Sequence, residues 1–121
     1  MTTPLQLPLQ QQASVTLDGD GNGYVRLGPD GPSEQWQPAL VSVSCSTNDA
    51  EAQCKIYAGP SATQPYYIDG TLSGSTGDSS TNVAGLAISR TQIPYLWAVW
   101  SGGDAGAQAT LQVTGTLTIG R

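Results

Sequence analysis

The sequence predicts an all-β protein, a single antiparallel sandwich of jelly-roll type with about eight strands. Three observations carry this expectation. Apolar residues alternate with Thr, Ser and Gln at period two through most of the chain. Clusters of Gly, Pro and Asp interrupt the alternation at roughly ten-residue spacing. Strong helix formers are scarce, with charged residues at 11% against 15 Gly and 8 Pro, a balance that favours strands and turns.

The elements follow in order. Residues 1–12 read as an extended N-terminal arm ahead of a sandwich domain spanning 13–121. In the arm, Leu5, Leu7 and Leu9 alternate with Gln6, Pro8 and Gln10, while Pro4 and Pro8 disfavour helix and interior sheet. Such a segment cannot fold alone yet carries an apolar stripe. It is either a frayed tail or an arm laid on a neighbouring subunit, and the second reading makes the three leucines partner-binding residues. Val15 and Leu17 then lead into the turn "DGDGNG", and Val25 and Leu27 into "GPDGP". "QWQPALVSVSCS" sets Val41, Val43 and Cys45 on one face and Leu40, Ser42 and Ser44 on the other. "QCKIYAG" and "PYYIDGTLSG" are further strands, before the polar loop "STGDSSTN". "VAGLAIS" and "IPYLWAVWSG" come next. In the closing "AQATLQVTGTLTIG", Ala109, Leu111, Val113, Leu117 and Ile119 point inward, and Gln112, Thr114, Thr116 and Thr118 outward.

Several function classes are excluded. Histidine is absent, which removes His-dependent hydrolases and histidine metal centres. The seven Asp residues fall mostly in turn sequences and offer no catalytic pair, so no enzyme activity and no cofactor are expected. Net charge is −5, and Arg26, Lys55, Arg90 and Arg121 form no basic stripe, so nucleic acid is not an expected partner. No apolar run approaches the roughly 18 residues of a membrane span, and the first residues lack the pattern of a secretory signal. A protein made in a cytoplasm and kept in solution is the expectation.

Three features invite sharper readings. Asp18, Asp20 and Asn22 followed by Gly23 resemble the opening of a calcium-binding EF-hand loop, but the twelfth position is Pro29 instead of a bidentate Glu and the ninth is Arg26. A Gly-rich turn is the favoured reading, with no metal site. Cys45 and Cys54 read as buried thiols on neighbouring strands, reduced in a cytoplasm, with a disulfide as the alternative. Among the aromatics, Tyr95 and Trp97 point one way in "YLWAVW" and Trp100 the other. Tyr66, Tyr67, Trp97 and Trp100 are the candidates for exposed contacts, either stacking on sugar rings or anchoring a protein interface.

The stretches "VTLDGDGNGYVRLGP", "WQPALVSVSCST", "CKIYAGP" and "AVWSGGDAGAQATLQVTGT" resemble small virion proteins of tailed phages that infect actinobacteria. The resemblance spans roughly residues 14 to 116. It implies a β-sandwich on the phage particle, assembled in the host cytoplasm: a capsid decoration (cement) protein or a minor tail component. The implied partners are the major capsid protein and copies of itself, as a homo-oligomer, with a trimer among the forms the resemblance allows. No functional residue transfers with the resemblance, whose motifs are structural. The acidic balance and single-domain size fit many copies on the outside of a shell. A carbohydrate-binding module for host attachment is the alternative from another class.

Overall fold

A computed structural model of the chain describes residues 5–29, 31, 33–47, 49–72 and 78–119. Nine strands run in order: β1 (Leu5–Thr16), β2 (Gly23–Leu27), β3 (Glu34–Cys45), β4 (Gln53–Ala58), β5 (Tyr67–Leu72), β6 (Asp78–Ser80), β7 (Ile88–Ser89), β8 (Leu96–Ser101) and β9 (Gln108–Ile119). All pairings are antiparallel. The larger sheet has the order β1-β9-β3, with β6 and β7 lying end to end along the far side of β3. The smaller sheet has the order β2-β8-β4-β5. Taken together, β6 and β7 stand for one interrupted strand, and the resulting order is that of a jelly roll.

The core is the space between the sheets. Val41, Val43 and Cys45 of β3 and Ala109, Leu111 and Val113 of β9 face Cys54 and Ile56 of β4 and Leu96, Ala98 and Trp100 of β8, all buried. Each fully buried Val, Leu or Ile contributes about 1.5–3 kcal/mol relative to exposure. Trp36 and Val41 are both buried although their odd spacing in β3 would send them to opposite faces of a regular strand. A bulge resolves this: the register against β9 shifts between Pro38 and Leu40, so Ala39 is the extra residue. Opposite the bulge, Gly115 lets the backbones approach closely, because a Cβ there would lie 2.3 Å from the Gln37 carbonyl oxygen.

Four expectations need correction. Leu5 to Gln12 do not stand apart as an arm; they are the first part of β1, paired with β9 without interruption from Leu5↔Ile119 to Thr16↔Gln108. The physical reason is that β9 offers a 12-residue partner, and Pro8 is tolerated because β1 is an edge strand. Leu9 is accordingly 3% exposed, while Leu5 and Leu7, near the open end of the sheet, stay at 37% and 40%. Residues 1–4, including Pro4, lie outside the described residues, as do 75–77 of the expected polar loop. The rest of that loop supplies β6, since a sheet edge needs backbone more than apolar side chains. "VAGLAIS" is mostly turns, with only Ile88–Ser89 in strand. Finally, Cys45 and Cys54 belong to different sheets. Cys45 faces Ala109 in the register and Cys54 faces Trp100, and both are buried thiols outside any disulfide.

The placement of the leucines yields a direct test. Leu9→Ala should lower the unfolding free energy by about 2–4 kcal/mol, as expected for a buried leucine, and Leu7→Ala by well under half of that. Urea denaturation of the two variants measures both. Wild-type stability in each would return residues 5–12 to the status of an unattached arm.

Candidate contact face on the smaller sheet

Alternation builds the outer face of the smaller sheet. In β2, Val25 points inward and is 7% exposed, so Tyr24 and Arg26 point outward. In β8, burial of Leu96, Ala98 and Trp100 turns Trp97 and Val99 outward, and in β4 burial of Cys54 and Ile56 turns Lys55 and Tyr57 outward. Register then aligns Arg26 with Trp97, Trp97 with Tyr57, and Tyr57 with Tyr67, one residue from each of the four strands.

This row is tightly linked. The Arg26 guanidinium lies 4.3 Å from the centre of the Tyr95 ring and 5.5 Å from that of Trp97. Tyr24 and Tyr95 approach Trp97 at 5.7 and 5.9 Å between ring centres, and Tyr57 meets Tyr67 edge-on at 5.9 Å. The Trp97 indole Nε1–H donates to the Gly59 carbonyl oxygen at 2.9 Å. Cation–π and aromatic pairs of this kind each contribute on the order of 0.5–1 kcal/mol, so together they hold the face in shape. Two of the chain's four cations, Arg26 and Lys55, lie on this face.

The four aromatic candidates part company here. Tyr67 is exposed at 41%. Tyr66 belongs to a single 3-10 turn, Gln64–Tyr66, and is half-buried. Trp97 faces outward but is only 9% exposed, because its neighbours cover it; it supports the face without being its open surface. Trp100 is a core residue with no exposure, and its Nε1 has no hydrogen-bond partner. Tyr24, at 60%, is the most exposed aromatic, and Arg26 is the residue that sequence reasoning passed over. The alternation in "GYVRL" is the signal that places both outward. Beside Tyr24 a shallow hollow of about 420 Å³ is walled by Asp18, Asn22, Val99 and Ser101.

The calcium-like loop uses its oxygens on the backbone. Asp18 Oδ1 accepts from the amides of Asp20 and Asn22 at 2.9 and 3.0 Å, and Asn22 Oδ1 accepts from the Gly102 amide at 3.2 Å. Gly21, at φ +77°, makes the turn and accepts from the Gly103 amide at 2.9 Å. Asp104 in turn accepts from the amides of Asp49 and Ala50 at 2.9 and 2.8 Å. Loops 17–22, 46–52 and 102–107 are thereby tied together at one end of the sandwich. Among the described residues, no three His, Cys, Asp or Glu side chains come together as a metal site. Burial, with a smaller contribution from the Asp104 carboxylate, pushes the Cys45 thiol above its ordinary range.

Comparison with known protein families, characterised proteins and solved structures finds no match for this chain.

Two expectations follow from the loop end. Titration calorimetry with calcium should give no saturable binding in the micromolar range of sensor loops, and such binding lost in Asp20→Ala would contradict the turn reading. The Asp104 carboxyl is held below its ordinary value of 3.8 by the amides of Asp49 and Ala50 and a hydrogen bond from Thr47. A carboxylate with a lowered folded pKa contributes stability above the unfolded pKa and loses it as pH falls through the folded one. Asp104→Asn should therefore melt lower than wild type at neutral pH, with the gap closing as pH falls below 3.8. A gap independent of pH would place the effect elsewhere.

Proposed function

We propose that the chain is a non-enzymatic structural protein of a phage particle. In this reading it is a capsid decoration protein that binds the outer surface of the head and stabilises it. Its partners are the major capsid protein and further copies of itself. The observation that carries the reading is the row Arg26–Trp97–Tyr57–Tyr67 with Tyr24 beside it. Aromatic residues and arginine are the side chains enriched in protein interfaces and in their hot spots. Here they are pre-ordered on a rigid sheet, which reduces the ordering cost of docking. The jelly-roll order and the sequence resemblance to small actinobacterial phage virion proteins support the same reading.

A second reading has its own observation: Tyr24 borders a hollow that also presents Asp18, Asn22 and Ser101, a mixture suited to sugar hydroxyls. In that case the chain is a carbohydrate-binding module, or a minor tail protein, used for host attachment. The protein-contact reading is favoured because sugar binding draws on open ring faces, and with the Trp97 ring covered by Arg26, Tyr24 and Tyr95 the hollow is left with Tyr24 as its one exposed ring.

Electron cryomicroscopy of particles carrying this chain tests the proposal, with copies expected on the outer head surface. Tyr24→Ala, Arg26→Ala and Tyr67→Ala should each weaken binding to heads stripped of the protein by about 1–3 kcal/mol while the isolated chain stays folded. Copies on the tail alone, or specific binding on a glycan array lost in Tyr24→Ala, would replace the decoration reading with the second one.

A further inference from the structure

Two sheets present four edges, and three of them are guarded. Along β3, the bordering strands β6 and β7 have only three and two residues. The β2 edge is five residues long and bears Arg26. At the β5 edge, Asp69 accepts hydrogen bonds from Ser80 Oγ and Asn82 Nδ2, and the register against β4 shifts twice. Short length, charge and bulges are the ordinary means by which sheets avoid pairing with other chains.

The fourth edge has almost none of this. β1 runs for 12 residues, "LQLPLQQQASVT", without a charged side chain and without a register shift against β9. Pro8 removes one amide and leaves the rest of the strand able to pair. Most of β1 is exposed, including Gln6, Gln10, Gln12, Ser14 and Thr16 on its outer side. The outer face continues without charge onto β9 through Gln108, Thr110, Gln112, Thr114, Thr116 and Thr118.

We propose that β1 pairs antiparallel with β1 of a second copy about a twofold axis, joining the two larger sheets into one. Two facts select a second copy over another partner. The chain carries a net charge of −5, and copies of it can come together with least repulsion along an edge that carries no carboxylate. The row of amides and hydroxyls is also self-complementary, since each group both donates and accepts. Pairing β1 with any other edge of the same fold would match 12 residues to six or fewer and use a different surface on each copy, whereas β1 on β1 closes as a dimer. The twofold fixes the register further. Inward side chains must lie opposite inward side chains, so the axis passes through Gln10 or Gln11, the placements that overlap nearly the whole strand. Either placement brings the Gln10 and Gln12 side chains of the two copies near one another.

The test uses the purified chain and two charge-paired variants, with no particle present, so it is independent of where on a virion the protein sits. Sedimentation of the wild type at roughly 100 µM should give twice the chain mass. The double variants Gln10→Lys/Gln12→Lys and Gln10→Glu/Gln12→Glu should each dissociate at least about tenfold more readily, and an equal mixture of the two should recover the dimer. Circular dichroism should match wild type, because both positions are exposed, and so should melts taken in solutions dilute enough that all three chains are monomeric. In wild type, hydrogen exchange should show β1 amides between Leu9 and Thr16 gaining protection as concentration rises, with β2 and β5 unchanged. A monomer, a trimer or an open-ended aggregate would overturn the proposal. So would charge variants that dimerise normally, a mixture that stays monomeric, or protection appearing at β2 or β5.

Discussion

The one-residue bulge at Ala39, seated against Gly115, sets the phase of β3, one of three 12-residue strands in the core. N-terminal to it, Trp36 and Pro38 face inward; C-terminal to it, Val41, Val43 and Cys45 do. Without the extra residue, one of these two groups would lie in water, and burying the other would not compensate. Gly115 is the complementary half of the device, since any side chain there would push β9 away from β3. The same phase turns Leu40, Ser42 and Ser44 outward, where they continue the uncharged outer face of β9.

A period-two code thus sorts the chain into three surfaces of different chemistry. The outer face of the larger sheet carries amides and hydroxyls. The outer face of the smaller sheet carries tyrosines around Trp97, with Arg26 and Lys55. The loop end at 17–22, 46–52 and 102–107 carries Asp18, Asp20, Asp49, Glu51 and Asp104.

Much of the architecture was legible in the sequence because alternation against water leaves a direct imprint. The inward Ala109, Leu111 and Val113 of β9 and the opposed faces of "VSVSC" and "YLWAVW" could be read residue by residue. The edge strands could not. β1 has polar residues at inward Gln11 and a proline in its first half, so its pattern looks like a tail; pairing with β9 is a nonlocal event that no local signal encodes. β6 is all polar for the same reason, being held by backbone bonds at Val41–Val43. On the candidate face, the direction of Tyr95 and Trp97 was readable, but the covering of Trp97 by Arg26 was not. That depends on the register between β2 and β8, strands separated by most of the chain.

The loop end has an electrical consequence. Five carboxylates gathered at one pole, with Arg26 and Lys55 on a flank, make the charge of the described residues uneven. Strands of 12 residues extend roughly 40 Å, whereas the Debye length in physiological salt is about 8 Å. The far end is therefore screened from the acidic pole, and a negatively charged surface is repelled by that pole only within about a Debye length.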